Sequence, residues 1–91
     1  NILNNLFTTQ TYEFQKGGLK YGDSISFNHD ITKNGFIPLC IHSIQAASAN
    51  IEYSYIVELK NRYYLNIYLR NVGVDIANIQ TLVTILYRKV L

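Results

Sequence analysis

The chain has one cysteine, Cys40, so no internal disulfide can form. Two histidines and one cysteine cannot complete a closed nitrogen–sulfur metal site, and neither metal nor cofactor is expected. Charge is also scarce, at 15 % of the 91 residues, with a net value of +2. The Lys and Arg residues are scattered rather than clustered, so nucleic acid is not an expected partner. No run reaches the roughly 18 apolar residues of a membrane helix, and membrane insertion is not expected. No signal-peptide pattern opens the sequence. No Asn-x-Ser/Thr acceptor occurs among the many asparagines, which gives no support for a glycosylated secreted protein. No phosphate-cradling glycine loop is present either, since Gly17-Gly18 before Leu19 reads as a turn.

What remains is tyrosine and alternation. Eight residues are Tyr, and with so few charges the surface is expected to be built from Tyr, Asn, Ser and Thr. Period-two patterning predicts strands over Thr9–Lys16, Ser24–Asn28, Phe36–Ala46, Ile51–Leu59, Tyr63–Arg70 and Ile79–Leu91. Pro38, the only proline, suits a strand start or a sheet edge, because it donates no ladder hydrogen bond. The polar loop His29–Gly35 ends in Asn34-Gly35, a pair that tolerates positive φ. Small residues over Ala46–Asn50 and the stretch Asn71–Asn78 around Gly73 read as loops. Five to six strands with no convincing internal helix predict an all-β fold, a small antiparallel β-sandwich of jelly-roll type.

The clearest unit is a hairpin. Ile51, Tyr53, Tyr55, Val57 and Leu59 share one face, as do Tyr63, Leu65, Ile67 and Leu69. Both sets look into one core only if paired residue numbers sum to an even value, because a one-residue slip turns one set outward. A loop of Lys60-Asn61-Arg62 satisfies this and places Glu52 opposite Arg70, Ser54 opposite Tyr68, Ile56 opposite Asn66 and Glu58 opposite Tyr64. The outward face then offers aromatic rings beside amide, hydroxyl and charged groups. This is a composition that sugar recognition and protein interfaces share. Tyr64, Asn66, Tyr68, Arg70 and Glu52 are the candidate ligand-binding residues.

The last strand is apolar on both sides. Ile79, Thr81, Val83, Ile85 and Tyr87 form one face, and Leu82, Thr84, Leu86 and Val90 the other. A surface strand of an antiparallel sheet needs only one apolar face. A chain this short has little material for a second cover, and a second copy of itself is the simplest one. Ile2, Leu3, Leu6 and Phe7 have helical spacing but are too few for an independent helix. Residues 1–8 are therefore expected to be a short helical or extended stub, the end of a stalk or linker before a head domain spanning residues 9–91. The opening at Asn1 rather than Met fits a piece of a longer protein. The oligomer interface is expected to take Leu82, Thr84, Leu86 and Val90, joined by Ile2 and Leu6.

No catalytic residue is expected. Cys40 and His42 lie two apart on one strand, where same-face neighbours stand about 7 Å apart, marginal for a thiol and its base. A small buried thiol beside a partly exposed imidazole is the plainer reading. His29-Asp30 lacks an accompanying nucleophile, and Glu13, Asp23, Asp30, Glu52, Glu58 and Asp75 sit on separate elements.

Two segments together carry a resemblance. NGFIPLCIHSI, residues 34–44, is similar to the Gly-aromatic-x-Pro-aliphatic strand of C-terminal domains in bacteriophage and prophage tail-fibre or baseplate receptor-binding proteins. YLNIYLRNVGVDIANIQTLVTILYRK, residues 64–89, resembles the ending of those domains, with Leu69-Arg70-Asn71 before a short loop and Leu86-Tyr87-Arg88-Lys89 closing the last strand. The likeness runs from about Ser24 to the C-terminus and departs at Cys40-Ile41, where many relatives have Gly. It implies a non-enzymatic β-sandwich head that trimerises at a fibre tip and adheres to a bacterial surface receptor, often a polysaccharide. It implies location on the virion, or in the cytoplasm of the producing bacterium before release. Two alternatives stand beside it: a monomeric carbohydrate-binding module of a larger enzyme, and a purely structural trimerisation cap. A five-stranded oligonucleotide-binding barrel stacking bases on Tyr63, Tyr64 and Tyr68 needs a basic groove, which the charge does not supply.

Overall fold

The computed structural model describes residues 6–46 and 50–90. Six strands follow one another: β1 (Phe7–Leu19), β2 (Ser24–Asp30), β3 (Phe36–Ala46), β4 (Ile51–Leu59), β5 (Tyr63–Asn71) and β6 (Ile76–Lys89). They form two three-stranded sheets in the orders β1-β6-β3 and β2-β5-β4, antiparallel throughout. The fold is an all-β sandwich. Only β4 and β5 are consecutive within one sheet.

The two central strands supply most of the core. On β6, Ile79, Thr81, Val83, Ile85 and Tyr87 are buried, the face that period two selects. Across the gap, Leu65, Ile67 and Leu69 of β5 are buried against them, with Ile31 from the β2–β3 loop. Each fully buried aliphatic side chain contributes about 1.5–3 kcal/mol relative to exposure. Towards the β1–β2 side, the Phe14 and Phe27 rings pack at 5.0 Å between centroids. The one large polar tip in this core, the Tyr87 hydroxyl, donates to the Ile31 carbonyl at 2.7 Å and meets the Tyr12 hydroxyl at 2.5 Å. Burial, and then the Tyr12 hydroxyl, push the Tyr87 pKa upward, so the phenol keeps its proton.

The β4–β5 hairpin has the predicted register, with Glu52, Ser54, Ile56 and Glu58 opposite Arg70, Tyr68, Asn66 and Tyr64. Its inner face departs from expectation. Tyr53 and Leu59 are 47 % and 65 % exposed, and Tyr55 is also exposed, although all three point to the core side. The reason is position: β4 is the outermost strand of its sheet, and only β3 lies across from it. Tyr55 reaches that strand, its hydroxyl accepting the Ile41 N–H at 3.2 Å.

Three boundaries also differ from the sequence reading. Gly17-Gly18 is not a turn; β1 runs through both to the buried Leu19, which pairs with Ile76 of the long β6. The turn comes later, at Lys20–Asp23, where Gly22 adopts φ +82° and the Asp23 N–H donates to the Lys20 carbonyl at 3.0 Å. The loop before β6 is short because buried Asn71 closes it. Its side-chain amide donates to the Leu19 and Val74 carbonyls at 2.9 and 2.7 Å and accepts the Gly73 N–H at 2.8 Å. At the other end, Phe7 and Thr8 belong to β1 rather than to the expected stub, Leu6 is half-buried ahead of them, and Ile2 lies outside the described residues. Most of the expected loop over Ala46–Asn50 also lies outside them.

Candidate functional site

Because inner positions of both sheets fill the core, the remaining residues build two outer faces, and these differ in chemistry. On the β5 sheet, three strands align into rungs: Ser24–Arg70–Glu52, Ser26–Tyr68–Ser54, Asn28–Asn66–Ile56 and Asp30–Tyr64–Glu58. All five candidate ligand-binding residues stand on this one face. Tyr68, Arg70 and Glu52 are exposed, while Tyr64 and Asn66 are half-buried.

The rungs are tied by side chains. The Asn28 amide donates to the Asn66 carbonyl oxygen, and the Asn66 amide donates in turn to Glu58 Oε1, so one polar chain crosses all three strands. This fixes Asn66 and leaves the Tyr68 ring standing beside it. Between Tyr68 and Ile56 lies a shallow depression of about 320 Å³, lined also by Ser26, Ser54 and Asn66. Its floor is mainly apolar and its rim carries hydroxyl and amide groups, which suits a small amphipathic ring lying flat. Ser26 and Asn28 were not legible as site residues, because nothing in a single sequence places β2 beside β5.

At the end of the face the Asp30 carboxylate accepts the Thr32 N–H at 2.9 Å and the Arg62 Nε–H. The Thr32 backbone N–H above all, and Arg62 next, hold the Asp30 pKa down at about 2. The pair clips the end of β2 to the β4–β5 loop. Among the described residues the ion pairs are this one and Lys60–Glu58 at 3.9 Å.

The other outer face, on the β6 sheet, has the rungs Glu13–Leu82–Gln45, Thr11–Thr84–Ser43, Thr9–Leu86–Cys40 and Phe7–Arg88–Ile37. Leu82, Thr84 and Leu86 are half-buried by their sheet neighbours, with Thr84 and Thr11 hydroxyls 2.8 Å apart, and Val90 is exposed. Exposed Phe7, paired with Arg88, adds an apolar side chain at the end where the chain enters, a contribution that the reading of β6 alone missed. No third layer covers this face among the described residues.

His29 and Asp30 take opposite faces of β2: His29 lies against the Tyr12 and Phe14 rings at 5.2 and 5.5 Å, whereas Asp30 is held by Arg62. His42 is the extra residue of an irregularity in β3, where the register to β6 shifts between Ile41 and Ser43. Among the described residues no group of three His, Cys, Asp or Glu is arranged to hold a metal ion. Comparison with family models, curated proteins and solved structures finds no match to this chain.

Proposed function

We propose that this chain is a non-enzymatic head domain of a phage or prophage tail-fibre or baseplate protein, homotrimeric and adhering to a bacterial surface receptor of glycan type. The observation that supports this reading is the division between the two outer faces. The β6-sheet face sets Leu82 and Leu86 along its central strand and exposed Phe7 and Val90 at one end, amid threonine, serine and glutamine, an apolar stripe for which a lone small domain has no use. The β5-sheet face, turned the opposite way, carries the tyrosine, amide and serine groups around the depression. Packing the first face at a three-fold axis leaves three copies of the second pointing outward. Weak contacts at each then combine through high effective concentration. On this reading the Tyr68 ring stacks on the apolar face of a pyranose, and Ser26, Ser54 and Asn66 meet its hydroxyls.

The test is a molar mass in solution followed by a glycan array of bacterial wall polysaccharides. The expected results are a mass about three times the single-chain 10.5 kDa and binding that the Tyr68 face controls. A mass near that of one chain overturns the trimer and favours a monomeric carbohydrate-binding module. A trimer silent on every glycan favours a structural cap.

A further inference from the structure

Four strands lie at sheet edges: β1, β3, β2 and β4. An edge strand offers unpaired backbone groups, and chains guard such strands with proline, bulges, shortness or charge. β3 is guarded by buried Pro38 and by two register shifts. β2 has seven residues, and β1 carries polar side chains on its outer face. β4 has neither proline nor bulge, and its charges, Glu52 and Glu58, stand near its two ends. It runs for nine residues in unbroken register with β5, and it leaves apolar side chains exposed on both faces: Tyr53, Tyr55 and Leu59 on one, and on the other Ile56, 62 % exposed among Glu52, Ser54 and Glu58.

We infer that β4 is a pairing edge and that its partner is β4 of a second copy, antiparallel across a two-fold axis through Ile56. The sequence of the strand selects this register. Matching side chains face to face requires paired numbers with an even sum. A sum of 110 sets Glu52 against Glu58 of the other copy, like charges directly opposed. A sum of 112 sets Glu52 against Lys60 twice by symmetry. It also matches Tyr53 to Leu59, Tyr55 to Val57, Ser54 to Glu58 and Ile56 to itself. Tyr53, Tyr55, Ile56, Val57 and Leu59 then each meet an apolar or aromatic residue on their own face. Lys60 is exposed, and its 3.9 Å pair with half-buried Glu58 of its own strand is a weak surface contact that it can exchange for Glu52 of the second copy. The result is one continuous six-stranded sheet from two copies, with two Tyr68 depressions side by side. It uses the opposite side of the molecule from the apolar β6-sheet face, and so joins two heads rather than building one.

In a Cys40→Ser background, Ile56→Cys is expected to give a disulfide-linked pair under mild oxidation. Ser54→Cys is expected to stay unlinked, because its own copy lies four residues away along the partner strand. Glu52→Lys or Lys60→Glu alone is expected to weaken this association about tenfold, and the double exchange to restore it. Glu52, Ser54, Ile56 and Lys60 are exposed strand or loop residues and Cys40→Ser is a near-isosteric change at a half-buried site, so the fold is not at stake. Absence of the Ile56→Cys link, or a double exchange no better than either single change, overturns the β4 pairing. Both outcomes are independent of the trimer, which Leu86→Asp disrupts while leaving the Ile56→Cys link in place.

Discussion

At Asp30 the folded chain holds a carboxylate against two donors, and the sign of its pH dependence follows. The group has an ordinary pKa of 3.8 and one of about 2 in the fold. A depressed acid stabilises the folded state above its unfolded pKa and loses that contribution as pH falls through the folded one. Unfolding by denaturant is therefore expected to become easier between about pH 4 and pH 2. Asp30→Asn is expected to flatten that part of the profile; an unchanged acid limb in the variant contradicts the assignment. Thr81 presents the opposite case. Its side-chain hydroxyl is fully buried in the core without a hydrogen-bond partner. Thr81→Val keeps the shape and removes the unpaired group, and is expected to stabilise by about 1 kcal/mol. That corresponds to about 4–8 °C in Tm for a domain of this size, measurable by calorimetry.

Among the elements, the hairpin was the most readable, because alternation on both strands, an even-sum constraint and a three-residue loop leave a single register. The buried face of β6 was equally legible from its period. The ends of elements were not. Gly17-Gly18 has the composition of a turn, yet β6 continues past its expected start and needs β1 as a partner there, so tertiary pairing overrides local preference. This predicts a gain where a turn would predict a loss. A Cβ at Gly17 meets nothing within 4 Å, and its φ is not positive, so Gly17→Thr is expected to stabilise by up to about 1 kcal/mol. Denaturant midpoints with unchanged slope would measure it. Asn71 shows a second limit: an asparagine two residues ahead of a glycine reads as loop, and only the three-dimensional closure of Leu19, Gly73 and Val74 around it reveals a buried clamp. The exposure of Tyr53 and Leu59 was hidden for a third reason, since alternation tells which side a residue faces but not whether anything lies opposite.

For the molecule as a whole, the two outer faces are separable by mutation. Leu86→Asp places a charge in the apolar β6-sheet face, and its side chain is only half-buried in the single chain. If the proposed trimer packs on this face, the variant is expected to run as single chains with the strand content intact, as read by sedimentation and circular dichroism. Tyr68→Ala is expected to leave the mass unchanged and to lower binding of a responsive glycan at least tenfold, in line with the loss of an aromatic anchor. A Tyr68→Ala head that binds as before removes the depression from the proposed site. The sequence pointed to both faces through β5 and β6. It could not show that β1, β2 and β3 complete them, because those pairings join residues far apart in the chain.

The pairing of the first strand with the last has a temporal consequence. β1 and β3 each pair as strands only with β6, which therefore holds their sheet together. The Thr11–Thr84 contact alone spans 73 positions. During synthesis, then, the β1-β6-β3 sheet has no template until β6 leaves the ribosome, and until that moment Tyr12 and Phe14 have only β2 to pack against. Such heavily non-local wiring makes for slow, all-or-none acquisition of structure rather than gradual growth from the N-terminus.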